Sequence, residues 1–67
     1  MTKQDLFRQL TDLTLQLQND PDNAELLMQR GQIRYRLNDK QGAWEDLQRA
    51  LELKPELMKI INGKIKK

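Results

Sequence analysis

Apolar residues along this chain recur mainly at intervals of three and four, which is the spacing of one face of an α-helix. The clearest stripe lies near the N-terminus and consists of Leu6, Leu10, Leu13 and Leu17. Thr2 is followed three residues later by Asp5, an arrangement that resembles a capping box, so the first helix is predicted over residues 3–18. No segment alternates strictly between apolar and polar residues, as a half-buried strand would. The pattern therefore predicts an all-α protein.

A second helix is predicted from Ala24 to about Leu37. Pro21 disfavours the helical conformation in the residue before it, so the first helix ends ahead of this proline. Either Asp22 or Asn23 can then cap the second helix, because a short polar side chain satisfies free backbone N–H groups at a helix start. The loop between the two helices is short, which predicts that they lie side by side and antiparallel.

Two more helices are predicted in the second half of the chain. Asn38 and Asp39 form a turn, and Asp39 is a good cap for a third helix from Lys40 to Leu53. Pro55 suits the first turn of a fourth helix, where its missing N–H is not needed. This last helix is predicted over residues 55–65.

Small residues occupy positions where two helices would have to approach closely. Gly31 lies in the middle of the second helix, where it costs about 1 kcal/mol relative to alanine, so a close helix crossing is the best reason for it. Ala43 and Ala50 share one face of the third helix and offer a small surface to a neighbour. The sole tryptophan, Trp44, comes directly after Ala43 and is predicted to belong to the core.

Residues 24–57 resemble one complete tetratricopeptide repeat, a helix–turn–helix unit of 34 residues. Large, small and proline positions agree in one register without gaps, at Leu27, Gly31, Ala43, Leu47, Ala50 and Pro55. The chain departs from the pattern where Arg30 and Arg34 take places that are usually apolar or aromatic. Asn38 likewise replaces the common turn glycine, although asparagine tolerates the left-handed conformation.

The same register extends outward from the complete repeat. Leu13, Leu17 and Pro21 stand 34 residues before Leu47, Leu51 and Pro55, so helix 3–18 resembles the second helix of a preceding, degenerate repeat. Helix 55–65 falls in the place of the next first helix. The resemblance implies one domain over residues 1–67, a fragment of a right-handed α-solenoid with four helices. A fragment of, or excision from, a longer array would also show such half-repeats.

The resemblance implies a protein–protein interaction module, in one of two forms. Stacked repeats cover one another's apolar faces, so the leading hypothesis is self-association, as a dimer or helix-exchanged oligomer. Its predicted surface on the fourth helix consists of Leu57, Ile60, Ile61 and Ile65. If this helix instead folds back on its own chain, a compact monomer results.

The alternative hypothesis is a monomeric adaptor that binds a partner peptide on the concave face of the second helix. Residues that share this face by helical spacing are Glu25, Met28, Gln29, Gln32, Tyr35 and Arg36. An ordinary solvated face would have the same composition.

The composition leaves few other functions open. The chain has neither cysteine nor histidine, and no acid, base and nucleophile fall together, so no enzyme activity, cofactor or metal site is predicted. Nucleic-acid binding is not predicted either, because aromatic interleaving is absent and Arg30, Arg34 and Arg36 are predicted to fall on different faces of the second helix. No apolar run approaches the length of a membrane span. A cytoplasmic location is expected.

Overall fold

The structure is a computed structural model, of which residues 2–59 are described, and these residues contain three long helices. Helix α1 spans Lys3–Asn19, α2 spans Ala24–Arg36 and α3 spans Lys40–Leu53. Residues 57–59 are helical again, where the fourth helix was predicted, and positions 60–65 of that prediction lie outside the described residues. The all-α fold class predicted from the sequence is confirmed.

Each helix begins at a polar cap. The backbone N–H of Asp5 donates to Thr2 Oγ1 (3.2 Å) and that of Thr2 to Asp5 Oδ2 (3.4 Å), which completes the capping box. Asn23, rather than Asp22, caps α2, because its Oδ1 accepts from the backbone N–H of Leu26 at 3.1 Å. In the same way Asp39 caps α3, since its Oδ1 accepts from the N–H of Gly42 at 3.0 Å.

Asn38 reverses the chain between α2 and α3. Its φ angle is +69°, in the left-handed region, and its backbone N–H donates to the carbonyl of Tyr35 at 3.0 Å. The N–H of Asp39 donates to the carbonyl of Arg34 at 2.8 Å. Asparagine accepts this conformation more readily than most residues, so the turn survives without the usual glycine.

Helix α2 lies between its two neighbours. It packs against both α1 and α3, whereas the backbones of α1 and α3, among the described helices, do not approach each other closely. One apolar cluster joins α1 to α2 and consists of Leu6, Leu13 and Ile33, with Leu10, Leu26 and Leu37 at its edge. A second cluster links all three helices to the start of the fourth and consists of Leu17, Ala24, Leu27, Ala50 and Leu57. Stacking of this kind is typical of a helical repeat.

The close crossing predicted at Gly31 is present between α2 and α3. A Cβ atom on Gly31 would lie 3.0 Å from Leu47 Cγ and 3.2 Å from the carbonyl oxygen of Ala43. Ala43 and Ala50 are almost completely buried in this contact. The glycine therefore lets the backbone of α2 approach the side chains of α3.

The prediction that Trp44 belongs to the core is wrong, because 59% of its surface is exposed. Helix α2 packs on the side of α3 that carries Ala43 and Ala50. The next residue, Trp44, is rotated about 100° around the helix axis and so points away from that contact. Leu10, 34 residues earlier, is half-buried at the edge of the cluster between α1 and α2, so the two equivalent positions differ in environment.

Candidate protein-interaction surfaces

A shallow groove of about 200 Å³ runs between α1 and α2. Its lining, drawn from both helices, consists of Gln9, Leu13, Gln29, Gln32, Ile33 and Arg36. Leu13 and Ile33 are buried and form an apolar floor, while the other side chains provide polar walls. Three of the six residues predicted for a concave binding face, Gln29, Gln32 and Arg36, therefore come together in one groove.

The other three predicted residues lie elsewhere on α2. Glu25, at the first turn, accepts a hydrogen bond from Lys54 Nζ at 3.4 Å and lines a separate cavity of about 390 Å³ near the α1–α2 loop. Met28 is half-buried against the cluster that contains Leu57. Tyr35 is 63% exposed, on the same side of α2 as Met28. The predicted face is thus divided between a groove and its surroundings.

The chemistry of the groove suits an extended polypeptide. The amides of Gln29 and Gln32 can each donate and accept hydrogen bonds, as the backbone of a bound peptide requires. Arg36 lies in the last turn of α2, and its guanidinium has five fixed donors and a permanent charge. The apolar floor can accept one small side chain. Such a groove can hold a segment but offers no acid–base or nucleophilic chemistry.

Leu57, one of the residues predicted for the self-association surface, is buried within its own chain, and its part in self-association stays a prediction. Only 4% of its surface is exposed, because it packs with Leu17, Leu27 and Ala50. The fourth helix therefore starts by folding back on its own chain. The other predicted residues of this surface, Ile60, Ile61 and Ile65, lie outside the described residues.

A different apolar surface is exposed at the other end of the α2–α3 hairpin. Met28 of α2 and Leu51 of α3 pack against the Leu57 cluster. Tyr35 follows Met28 by two turns and Trp44 precedes Leu51 by two turns, so both continue the same side of the hairpin, about 10 Å further along. They are 63% and 59% exposed, and we call them the Tyr35–Trp44 surface.

The comparison with known families agrees with this architecture. A family model described as Tetratricopeptide repeat matches residues 1–61 of the 67-residue chain. The chain belongs to the tetratricopeptide repeat family. Members of this family serve as protein–protein interaction modules. No curated protein and no solved structure matches the chain.

The two arginines that depart from the repeat pattern share one buried carboxylate. Arg30 donates from Nε to Asp46 Oδ2 and from Nη2 to Asp46 Oδ1, both at 2.8 Å. Arg34 donates from Nη1 to Asp46 Oδ2 at 3.2 Å. Asp46 is only 3% exposed. The prediction that the arginines of α2 fall on different faces is therefore wrong for this pair, which lies one turn apart.

This cluster connects α2 to α3 electrostatically. The hydrogen bonds that Arg30 donates to Asp46 raise the pKa of Arg30 above its ordinary value, and they outweigh the opposing effect of burial. The role of Asp46 was not predicted, although its position indicates it: Asp46 lies three residues after Ala43 and four before Ala50, on the face that the tetratricopeptide register assigns to α2. A carboxylate on that face needs a cation opposite, and Arg30 and Arg34 stand at the matching places.

No group of three or more acidic side chains is arranged to hold a metal ion among residues 2–59. Within the same residues, no helix combines the length and the apolar character needed to cross a membrane.

Proposed function

We propose that this tetratricopeptide repeat protein associates with itself, and that the Tyr35–Trp44 surface takes part in the contact. The observation that carries the proposal is the exposure of Trp44, a large apolar side chain of which 59% is exposed in a small helical protein. Aromatic residues are enriched at the centres of protein interfaces, where their burial contributes much of the binding energy.

The repeat register supports a helix as the covering element. Trp44, Leu47 and Leu51 stand 34 residues after Leu10, Leu13 and Leu17. In α1 those earlier residues pack against α2, which covers them. The corresponding side of α3 has the same spacing of apolar residues, and the Trp44 side chain on that side is exposed to solvent. An additional helix at that place would remove the indole from water.

Sedimentation velocity over a series of protein concentrations tests self-association. We expect a concentration-dependent shift to a species heavier than the 8.0 kDa monomer. Because Trp44 is the sole tryptophan, its fluorescence emission should shift to shorter wavelength as the heavier species forms. A particle that stays at the monomer mass at every concentration would contradict the proposal.

Two substitutions make this test specific. Trp44→Gln should weaken the association without changing the helical circular dichroism signal, since the replaced side chain is largely exposed. Phe7→Gln is a matched control, because Phe7 is 55% exposed on α1 and lies outside the proposed contact. Equal weakening by both substitutions would indicate nonspecific apolar association instead.

A second candidate function is peptide binding in the groove between α1 and α2. The observation that favours it is the convergence of Gln29, Gln32 and Arg36 over an apolar floor. Selection of peptides from a random display library on the immobilised protein tests it directly. Enriched peptides should lose affinity for the Gln32→Ala and Arg36→Gln variants but not for Gln18→Ala, which alters an exposed residue at the end of α1. Failure to enrich any sequence would argue against this function.

A further inference from the structure

We infer that the groove between α1 and α2 binds an extended peptide segment that carries an acidic side chain, and that Arg36 selects this carboxylate. The inference rests on the second candidate function, peptide binding in the same groove, and names the class of peptide. Three observations support it: the charge of the groove lining, the lack of an ion-pair partner for Arg36, and the position of Arg36 relative to the apolar floor.

Arg36 is the only charged residue in the lining of the groove, as far as the described residues show. The other polar groups of the lining are three glutamine amides, which bear no charge. Two carboxylates of α1, those of Asp5 and Asp12, are exposed but do not line the groove. The lining therefore has one positive charge, which favours an anionic side chain over a cationic one.

Arg36 differs from the other two arginines of α2 in having no carboxylate partner. Arg30 and Arg34 both donate to Asp46. No ion pair or hydrogen bond within residues 2–59 engages the side chain of Arg36, which is exposed. Its N–H donors are therefore available to a ligand, and a planar guanidinium can bind both oxygens of one carboxylate.

Helical spacing places Arg36 at the end of a row of glutamines. Gln29, Gln32 and Arg36 are three and four residues apart, so they follow one side of α2. From Gln29 to Arg36 the row is about 10 Å long, at a rise of about 1.5 Å per residue. An extended segment covers this length with about three residues. The amides can therefore bind the backbone of a segment whose side chain reaches Arg36.

The apolar floor determines where the acidic residue stands in the segment. Ile33 is buried and lies three residues before Arg36, about 4.5 Å along the helix axis. Side chains on one side of an extended segment are two residues apart, or about 6.6 Å, and the long stem of an arginine can cover the difference. We therefore expect a small apolar residue over Leu13 and Ile33, and Asp or Glu two positions away.

The carboxylate belongs to a side chain rather than to the end of a chain. Arg36 continues the wall that Gln29 and Gln32 form, so a segment bound to these amides runs past the guanidinium. A carboxylate that meets Arg36 must then leave the backbone sideways, as a side chain does. The order of the apolar and the acidic residue is open, because an extended segment can enter the groove in either direction.

Selection from a displayed peptide library tests the inference on the full chain. Random octapeptides joined to the carrier at both ends offer no terminal carboxylate. We expect the enriched sequences to contain Asp or Glu two positions from Ala or Val more often than the unselected library does. In a synthetic copy with blocked termini, replacing the acidic residue by its amide should weaken binding about fivefold at low salt. Added salt should reduce this difference.

Reversal of the charge at position 36 makes the test specific. Selection on Arg36→Glu should lose the preference for acidic residues and enrich Lys or Arg at the same place, because the lining then attracts cations. Arg8→Glu is the matched control, since Arg8 is an exposed arginine of α1 that does not line the groove. This control should keep the acidic preference, and both variants should keep the helical circular dichroism signal.

Four other outcomes would overturn the inference, in distinguishable ways. Enriched peptides without an acidic preference that still lose affinity for Gln32→Ala would leave the groove as a peptide site with a different specificity. Binders found only in a library with free carboxyl termini would assign Arg36 to a chain end. An acidic preference that Arg8→Glu abolishes as fully as Arg36→Glu would indicate general attraction to a protein of net charge +2. Enrichment of no sequence from either library would remove both the inference and the second candidate function.

Discussion

At the scale of single residues, Asp46 has the most demanding environment in the described part of the protein. Removing a carboxylate from water is costly, and here two arginines compensate with three hydrogen bonds. The two hydrogen bonds from Arg30 also fix the relative orientation of the two side chains, because the planar guanidinium and the planar carboxylate must align. Because a buried ion pair adds little net stability in general, we propose that this one serves to fix the arrangement of the two helices. We therefore regard Asp46 as a residue that fixes the register of α2 on α3.

Substitution of Asp46 should show this dependence. Asp46→Ala leaves two arginines facing a buried apolar contact, and we expect the free energy of unfolding to fall by about 3 kcal/mol. Urea unfolding followed by circular dichroism measures the change. Asp12→Ala is the matched control, because the same side chain is exposed 34 residues earlier and its removal should cost less than about 0.5 kcal/mol. Equal unfolding midpoints for the two variants would contradict this account.

The raised pKa of Arg30 has a defined consequence for the dependence of stability on pH. A group whose pKa is raised in the folded state contributes stability that is complete below its unfolded-state pKa and is lost as the pH rises through the folded-state value. For an arginine that range is strongly alkaline. Arg30 itself should therefore produce no change in stability around neutral pH.

At the scale of elements, the crossing of α2 and α3 depends on the absence of a side chain at Gly31. We expect Gly31→Ala to destabilise the protein by about 1 kcal/mol, because crowding against Leu47 and the carbonyl of Ala43 exceeds the gain in helix propensity. Thermal unfolding measures this loss. The control is Gln29→Ala, on the exposed side of the same helix. This substitution should raise the stability slightly, through higher helix propensity, or leave it unchanged. A stabilising effect of Gly31→Ala would show that α3 can move away freely.

The turn that joins these two helices provides a second test at this scale. Asn38→Ala should lower the free energy of unfolding by about 1 kcal/mol, because alanine resists the left-handed conformation that Asn38 adopts. Asn38→Gly should be neutral or stabilising, since glycine adopts this conformation without steric cost. Chemical unfolding of both variants gives the comparison. If alanine and glycine behaved alike at this position, strain at the turn would not be the cause.

The sequence predicted elements better than it predicted surfaces. Caps at Thr2 and Asp39 and the turn at Asn38 depend on local chemistry, which the sequence contains in full. The exposure of Trp44 depends on which side of α3 is covered, and general preference for buried tryptophan does not contain that information. The burial of Leu57 was not predicted either, because it depends on contacts with Leu17 and Leu27, which are distant in the sequence.

At the scale of the whole molecule, the core is small. A chain of this length buries a modest fraction of its surface, and the buried apolar residues among positions 2–59 form two clusters rather than one large core. Such a protein gains stability whenever a second copy covers exposed apolar groups. Association and folding are then linked by mass action, because only the folded chain presents the Tyr35–Trp44 surface.

This linkage makes the unfolding temperature depend on protein concentration. We expect the midpoint to rise as the concentration increases, since dimer formation stabilises the folded state. Scanning calorimetry at several concentrations measures the shift. Trp44→Gln should make the midpoint nearly independent of concentration, whereas Phe7→Gln should retain the slope of the original protein. A midpoint that is constant for the original protein would be inconsistent with a self-associating folded state.

The central position of α2 has a consequence for how strongly substitutions in the two outer helices are coupled. Among the described helices, α1 and α3 do not approach each other closely along their backbones, so α2 separates the Leu6 end of α1 from the Trp44 end of α3. Substitutions at Leu6 and at Trp44 should therefore have additive effects on stability, with a coupling energy near zero. Either outer helix can open while the other stays docked, so amide hydrogens should exchange most slowly in α2, which is released only when both neighbours have left.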